Sequence, residues 1–331
     1  MINQMVNQGD VTESNGDRRS VAKKNRSIYF VSHIESIQDR GVEAVIRELH
    51  GVLRWNHEVI EQFPESKFII LVNDRSEHLL NQHGKFHFVN ISQLRGACLE
   101  RLDKLRQEFI SIDIAKSKNF GVEFELKCFE RFVYLQAIAE SHQIDRIYHI
   151  DIDLALSRDL VARLIELEDL NSDGPHTVIS PSSYGTYLSG FELDGIKLFV
   201  DFILDDYFED PASKAYRISD MGAFLECVTR GYLGCDSSLF LEYSDYMRRL
   251  ETVLCSFHHI TGAVALELGM PLESVWRQPD RDIIQAIANS KKFFQMHPDL
   301  TITLDDKQVP FIHFHGWSKR FAPLIIDKGR Q

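Results

Sequence analysis

The stretch Arg146-Ile-Tyr-His-Ile-Asp-Ile-Asp153 decides the fold. Residues 146–150 predict a short strand, and Asp151 and Asp153 follow it directly. In extended backbone, residues two positions apart point to the same side, so both carboxylates can converge on one cation. Ligands of open α/β sheets bind outside the carboxyl ends of the strands. We therefore predict a Mn2+ or Mg2+ site here, with the metal bridging to a diphosphate.

Strands and helices alternate on the amino-terminal side of this stretch. This pattern predicts an α/β fold with a mostly parallel central sheet and helices on both faces. The predicted strands are Ser27–Ser32, Lys67–Val72 and Phe86–Val89, and the predicted helices are Gly41–Ile60, Leu94–Phe109 and Phe124–Ala139.

The pattern loosens after Asp153, where no repeat or Pro/Gly-rich linker divides the chain. We expect extended segments at Thr177–Ser180 and Tyr184–Leu193, helices at Gly195–Leu204 and Asp220–Val228, and a late strand at Phe311–Phe314.

Residues 1–25 are polar and lack apolar periodicity, so we predict a disordered leader there. We predict one domain over residues 26–325, with a nucleotide-binding half at 26–153 and an acceptor- and sugar-binding half at 154–325. No apolar stretch is long enough to predict a transmembrane segment, and the amino-terminal sequence does not resemble a signal peptide. We expect a soluble, cytoplasmic protein, and the basic residues between 18 and 26 leave peripheral membrane association open.

Charge and cysteine content narrow the classes of partner. The formal net charge is -12, which disfavours nucleic acid as a partner, because an acidic chain repels phosphate backbones. The five cysteines include no C-x-x-C pair, and their odd number argues against a disulfide framework. An anionic substrate would then need a metal ion or a few well-placed basic residues.

The aspartate pair is also compatible with two roles that involve no nucleotide sugar. Turn aspartates often cap the helix that follows, but Asp159 is the better predicted cap for Leu160–Leu167. The pattern also resembles haloacid-dehalogenase-type phosphatases, in which the D-x-D follows the first strand and Thr or Val commonly stands two residues later. Here Ala155 occupies that position, and at least two predicted strands come earlier.

The second chemical motif is Ile312-His-Phe-His-Gly-Trp-Ser-Lys319. On a strand, His313 and His315 share a face, and histidine is a common metal ligand. Gly316 permits a sharp turn that brings backbone N–H groups close to a phosphate, and Lys319 can neutralise that phosphate.

Together these motifs resemble the D-x-D glycosyltransferases of the GT-A fold, a Rossmann-like fold of nucleotide-diphospho-sugar transferases. The resemblance is to the retaining, family-8-like group and its relatives. It is carried in order by Phe129-Glu-Arg-Phe132 with the D-x-D strand, Tyr187–Leu193, Ser219-Asp-Met221 and His313-x-x-Gly316-x-x-Lys319.

The resemblance implies a metal-dependent glycosyltransferase, with hexose transfer expected from a UDP-sugar to a glycan, lipid-linked or protein hydroxyl. Asp151, Asp153 and His313 would hold Mn2+ or Mg2+. Asp151 would also contact the nucleotide ribose, and Asp220 would face the sugar. The remaining donor-binding residues implied by the resemblance are Arg131, Ser189, Gly190, Gly316 and Lys319.

Several alternatives stay open. An inverting enzyme needs a general base, for which Asp220 is the candidate, whereas in a retaining enzyme the leaving diphosphate can accept the proton. A nucleotidyltransferase that makes the nucleotide sugar usually has a Gly-rich loop after its first strand, and Ser32–Asp39 contains no glycine. The third alternative is a non-catalytic sugar-nucleotide-binding protein.

Overall fold

The central sheet has seven strands, in the order β3-β2-β1-β4-β7-β6-β8. The computed structural model describes residues 27–34, 42–73, 76–77, 81, 86–111, 122–167, 176–181, 186–208, 219–241, 268–275, 277–289, 294–304, 306–314, 319 and 321–329. The predicted leader therefore lies outside the described residues.

The described strands are β1 (Ile28–Ile34), β2 (Ser66–Val72), β3 (His87–Asn90), β4 (Arg146–Ile150), β5 (Leu154–Leu156), β6 (Thr177–Ile179), β7 (Leu188–Glu192), β8 (Gly234–Asp236), β9 (Gln295–Met296), β10 (Ile302–Leu304), β11 (Lys307–Gln308) and β12 (Phe311–His313). The described α-helices are α1 (Val42–Ile60), α2 (Ala97–Glu100), α3 (Leu102–Ser111), α4 (Val122–Ser141), α5 (Arg158–Glu166), α6 (Leu193–Asp201), α7 (Asp220–Thr229), α8 (Ser238–Leu241), α9 (Leu272–Val275), α10 (Asp280–Asn289) and α11 (Ala322–Gly329). A 3-10 turn spans Ile91–Gln93, and a π-helix spans Phe202–Tyr207.

The sheet is mostly parallel, as the sequence predicts. β1 pairs in parallel with both β2 and β4. β2 also pairs in parallel with β3, and β6 pairs in parallel with β8. Among the described strands of this sheet, only β7 runs against its neighbours, β4 and β6. Because β2 lies on one side of β1 and β4 on the other, the topological switch point falls between β1 and β4. Ligands of such sheets bind at the carboxyl ends of the two strands that flank this point.

Helices cover both faces of the sheet, which confirms the predicted α/β arrangement. Alternate strand residues supply the two cores, as the period of two requires. Phe30 and Tyr148 pack with apolar residues of α1, α5 and α11 on one face. Val31 and Ile147 pack with those of α4, α6 and α7 on the other. Within the first core, Gly51 lets α1 approach α11, since a Cβ atom there would lie 3.1 Å from Ile326 Cδ1.

The predicted cap of α5 is wrong. The helix begins at Arg158, and Ser157 is its N-cap, with a side chain that accepts a hydrogen bond from Leu160 N at 3.2 Å. Asp159 lies inside the first turn, where a carboxylate still interacts favourably with the helix dipole. The prediction failed because the helix starts two residues before the apolar run that suggested it. The Asp151–Asp153 pair is likewise not the cap of α5.

The carboxyl-terminal part of the described chain returns to the D-x-D segment. β12 pairs antiparallel with β5 in a separate two-stranded sheet, and this register places His313 opposite Leu154. Among the described helices, none is long and apolar enough to span a membrane.

Candidate metal centre

The aspartate pair lies in a tight turn at the carboxyl end of β4. Asp151 N donates to Tyr187 O at 2.8 Å, and Leu154 N donates to Asp151 O at 3.0 Å, which closes the turn. The two carboxylates converge as predicted, but a turn and not extended backbone brings them together. The Asp151 side chain is 28% exposed and that of Asp153 is 6% exposed.

His313 reaches this turn through the pairing of β12 with β5. Phe314 N donates to Asp153 O at 2.8 Å, which extends the pairing to the turn itself. The His313 ring lies against Tyr187, with centroids 5.2 Å apart, and its Nε2 is 3.2 Å from Asp153 Oδ1. One ligand atom each from Asp151, Asp153 and His313 lies within 4.8 Å of the other two. About 160 residues of chain separate His313 from Asp153, so folding alone unites them.

Helix α1 holds β5 in place from the other side. Asn56 Nδ2 donates to Leu154 O at 2.7 Å, and Leu156 N donates to Asn56 Oδ1 at 2.9 Å. Trp55 Nε1 also donates to Leu156 O at 2.7 Å. Because these side chains are buried, they fix the strand that carries the turn on one side and His313 on the other.

Lys319 supplies a positive charge at the centre, with Nζ 2.8 Å from Asp153 Oδ2. Burial alone would raise the pKa of Asp153, but Lys319 and His313 offset this effect and hold the pKa well below its usual range. Asp153 is therefore a carboxylate under ordinary conditions, which is the protonation state that a metal ligand requires.

Arg131 joins the D-x-D turn to α7. From α4, its Nη1 donates to Asp151 Oδ1 at 2.8 Å, and its Nη2 donates to Asp220 Oδ2. Burial alone would lower the pKa of Arg131, but Asp220 and Asp151 raise it above its usual value, so the guanidinium stays charged. Burial raises the pKa of Asp151, while Arg131 opposes that shift.

Asp220 is the first residue of α7 and is buried. Ser219 caps this helix by accepting a hydrogen bond from Gly222 N at 3.0 Å, and Tyr207 Oη donates to Ser219 O at 3.4 Å. Tyr207 ends the π-helix, so this irregular turn helps to hold the segment that presents Asp220.

His149 belongs to this region, although the sequence analysis treated it only as a strand residue. Its Nδ1 lies 2.7 Å from Thr186 O, and because a carbonyl only accepts, the ring donates from Nδ1. Its Nε2 is 3.6 Å from Asp151 Oδ1. Burial and then Arg131 lower the pKa of His149 well below the usual value, so the ring is neutral. The same two-residue spacing that linked Asp151 with Asp153 could have identified it.

Ser189 and Gly190 lie within β7, opposite His149 and Tyr148 of β4. A Cβ atom at position 190 would lie 2.2 Å from Tyr148 Cε1, so close packing explains why this residue is glycine. Ser189 is fully buried, and its Oγ has no hydrogen-bond partner among the described residues. Contact of this pair with a donor sugar stays a prediction, and Gly316 and His315 lie outside the described residues.

No protein-family model matches the chain, and no curated protein matches it. Solved structures show distant similarity. One is galactosyltransferase LgtC in complex with donor and acceptor sugar analogues, at 11% identity over 63% of this chain and 72% of that chain, with a TM-score of 0.39. Mouse xyloside xylosyltransferase 1 in its apo form shares 10% identity over 68% and 92%, with a TM-score of 0.42.

A cytidylyltransferase from Leptospira borgpetersenii serovar Hardjo-bovis is similar at the same level, with 12% identity over 81% of this chain and 99% of that chain and a TM-score of 0.37. At these values, neither the sequence identity nor the superposition assigns the chain to a family.

Proposed function

We propose that this protein is a metal-dependent glycosyltransferase of the GT-A type. It would move a sugar, expected to be a hexose, from a nucleotide-diphosphate donor such as a UDP-sugar to a hydroxyl of a glycan, lipid-linked or protein acceptor. The proposal rests chiefly on one observation. Asp151 and Asp153, at the sheet's switch point, meet His313 from a distant strand in one cluster of potential metal ligands.

The three ligand side chains of this cluster suit a divalent cation. Two carboxylates and one imidazole leave coordination positions for diphosphate oxygens, and the mixed oxygen and nitrogen ligands suit Mn2+ better than Mg2+, which prefers oxygen alone. When bound, the cation would act as a Lewis acid that neutralises the leaving nucleotide diphosphate. Lys319 contacts Asp153 and would pair with the same diphosphate.

Arg131 and Asp220 would set the geometry around the donor sugar. Arg131 bonds both Asp151 and Asp220 and so fixes the distance between the metal-binding turn and the start of α7. Asp220 would either accept the proton of the acceptor hydroxyl, as in an inverting enzyme, or stabilise positive charge on the reacting carbon, as in a retaining one. The anomeric configuration of the product separates these two roles.

We further propose that the protein acts in the cytoplasm.

The test is a donor screen that measures nucleotide release and product formation. The purified protein is incubated with UDP-, GDP- and CMP-linked sugars, with Mn2+ and with EDTA, and the matched variants are Asp153→Asn and Asp159→Asn. We expect Mn2+-dependent release of UDP by the wild type and by Asp159→Asn, but not by Asp153→Asn. If the protein instead makes a nucleotide sugar from a nucleoside triphosphate and a sugar phosphate, the proposal is wrong.

A further inference from the structure

We propose that His57, Glu61 and His87 form a second metal site, selective for Zn2+ or a similar transition metal. One potential ligand atom of each residue lies within 4.8 Å of the other two, and the described residues contain only one other such group, the D-x-D cluster. The two groups share no residue. Whether this second site binds a metal therefore does not depend on the proposed glycosyl transfer.

Two elements supply the three side chains. His57 lies in the last turn of α1, and Glu61 follows four residues later, with its N–H still bonded to His57 O at 3.0 Å. This spacing puts both side chains on one face of the helix end. His87 begins β3, and its Nε2 lies 3.9 Å from Glu61 Oε1.

Neighbouring groups orient two of the three ligands. Phe68 N, in β2, donates to Glu61 Oε1 at 3.2 Å, and ligating carboxylates are commonly held by such hydrogen bonds. The His57 ring packs edge-on against Phe86, with centroids 5.8 Å apart. The side chain of His87 is 62% exposed, so it can rotate toward the other two.

The three ligand atoms need to approach one another only slightly to bind one metal ion. Around a tetrahedral metal with bonds of about 2.0–2.2 Å, ligand atoms lie about 3.3–3.5 Å apart. The three ligand atoms lie within 4.8 Å of one another, so no separation has to shorten by more than about 1.5 Å, which exposed side chains such as Glu61 and His87 can accommodate. Three protein ligands would leave the fourth position to water.

The ligand types separate this site from the D-x-D cluster. Two imidazoles and one carboxylate suit Zn2+, Co2+ or Cu2+, whereas the oxygen-rich cluster suits Mn2+. Without a metal, an ion pair between Glu61 and His87 and the stacking of the His57 and His87 rings, with centroids 6.1 Å apart, would account for these contacts, and Zn2+ titration separates the two explanations. Since β3 is an edge strand of the central sheet, a metal here would fasten that edge to the end of α1.

The test is calorimetric titration of the full chain with Zn2+, repeated with Co2+ as a spectroscopic probe of the ligand set. The variants are His57→Ala, His87→Ala and their combination, with His50→Ala as the matched control. His50 lies on the same helix and packs against the same Phe86 ring, at 5.9 Å, but is not one of the three ligands. Asp153→Asn serves as the control for the other cluster.

We expect one equivalent of Zn2+ to be lost from the double variant, and each single variant to bind that equivalent at least about tenfold more weakly. His50→Ala and Asp153→Asn should keep it. Zn2+ should also raise the melting temperature of the wild type more than that of the double variant, which keeps only the D-x-D cluster. If the double variant binds Zn2+ as the wild type does, or if His50→Ala loses the same equivalent, the proposed ligand set is wrong.

Discussion

Asp153 combines several of the contacts that build the D-x-D centre. Its side chain meets His313 and Lys319, and its carbonyl accepts from Phe314 N. Asp153→Asn keeps the shape of the side chain but removes the charge that would hold a cation. We expect Mn2+-dependent nucleotide binding and transfer to fall by more than about 100-fold, beyond the 10–100-fold typical of residues that only support a ligand. Calorimetry with Mn2+ and UDP measures the binding.

The control for that experiment is Asp159→Asn, an aspartate of α5 outside the cluster. Its binding and turnover should match the wild type. Full activity of Asp153→Asn would remove this residue from the site, and a shared loss in both variants would indicate a general effect on folding.

Lys319 offers a second test at the scale of single residues. Lys319→Ala removes a charge-assisted contact worth about 1.5–3 kcal/mol, so the donor affinity should fall by about 10- to 100-fold. Because Lys319 lies beside Asp153 and would pair with the donor diphosphate, the KM for the donor should change more than the KM for the acceptor. His315→Ala is the comparison, since the sequence motif gives that residue no ligand role, and it should tolerate the change. An unchanged donor KM in Lys319→Ala would contradict the assignment.

At the scale of elements, β5 depends on Asn56 of α1. Asn56→Ala removes the buried side chain that hydrogen-bonds Leu154 O and Leu156 N. Each buried backbone group left without this partner lowers the free energy of unfolding by roughly 1–3 kcal/mol. We expect a lower free energy of unfolding together with weaker Mn2+ binding, since β5 carries the turn and pairs with the strand of His313. Arg54→Ala, an exposed change on the same helix, should alter neither quantity. Urea unfolding and Mn2+ titration test both effects, and normal stability of Asn56→Ala would contradict them.

The contact of β7 with β4 leads to a further expectation. Gly190→Ala would place a methyl group against the Tyr148 ring, because a Cβ atom at position 190 would lie only 2.2 Å from Tyr148 Cε1. Overpacking of this kind commonly costs about 1–3 kcal/mol. A lower melting temperature with an unchanged donor KM would assign Gly190 to sheet packing. A change in donor KM at normal stability would instead support the predicted contact with the sugar.

The sequence predicted the strands of the first half because they are continuous apolar runs bounded by turns. It could not give the direction of β7, which depends on its pairing with β4 rather than on its own residues. The tight turn at Asp151–Leu154 and the cap at Ser157 were also missed. The candidate metal ligands could be proposed from the sequence because their residue types and spacing suit metal binding, and the folded chain brings Asp151, Asp153 and His313 together. Arg131 was identified only by resemblance, and its bridge between two carboxylates appears only in the folded chain.

At the scale of the whole molecule, the candidate metal centre lies at the topological switch point of the sheet. Its side chains come from four separated segments of the chain: α4, the turn at Asp151–Leu154, the start of α7, and the segment that carries His313 and Lys319. The predicted leader, residues 1–25, lies outside the described residues. We expect a variant that begins at Asn25 to keep its melting temperature and turnover, because the removed residues carry no apolar periodicity. Differential scanning fluorimetry and the donor assay test this. A large loss of either property would mean that the leader packs on the body of the protein.

The pairing of β5 with β12 also sets an order of events during synthesis. Residues 154–156 leave the ribosome long before residues 311–313, since a growing chain lengthens by about 5–20 residues per second. In that interval β5 has no partner strand, and Asp153 has neither His313 nor Lys319 beside it. An unfinished chain would therefore lack one of the proposed metal ligands and the Lys319 charge, and the proposed binding of Mn2+ and donor would arise only after residues 311–319 have emerged.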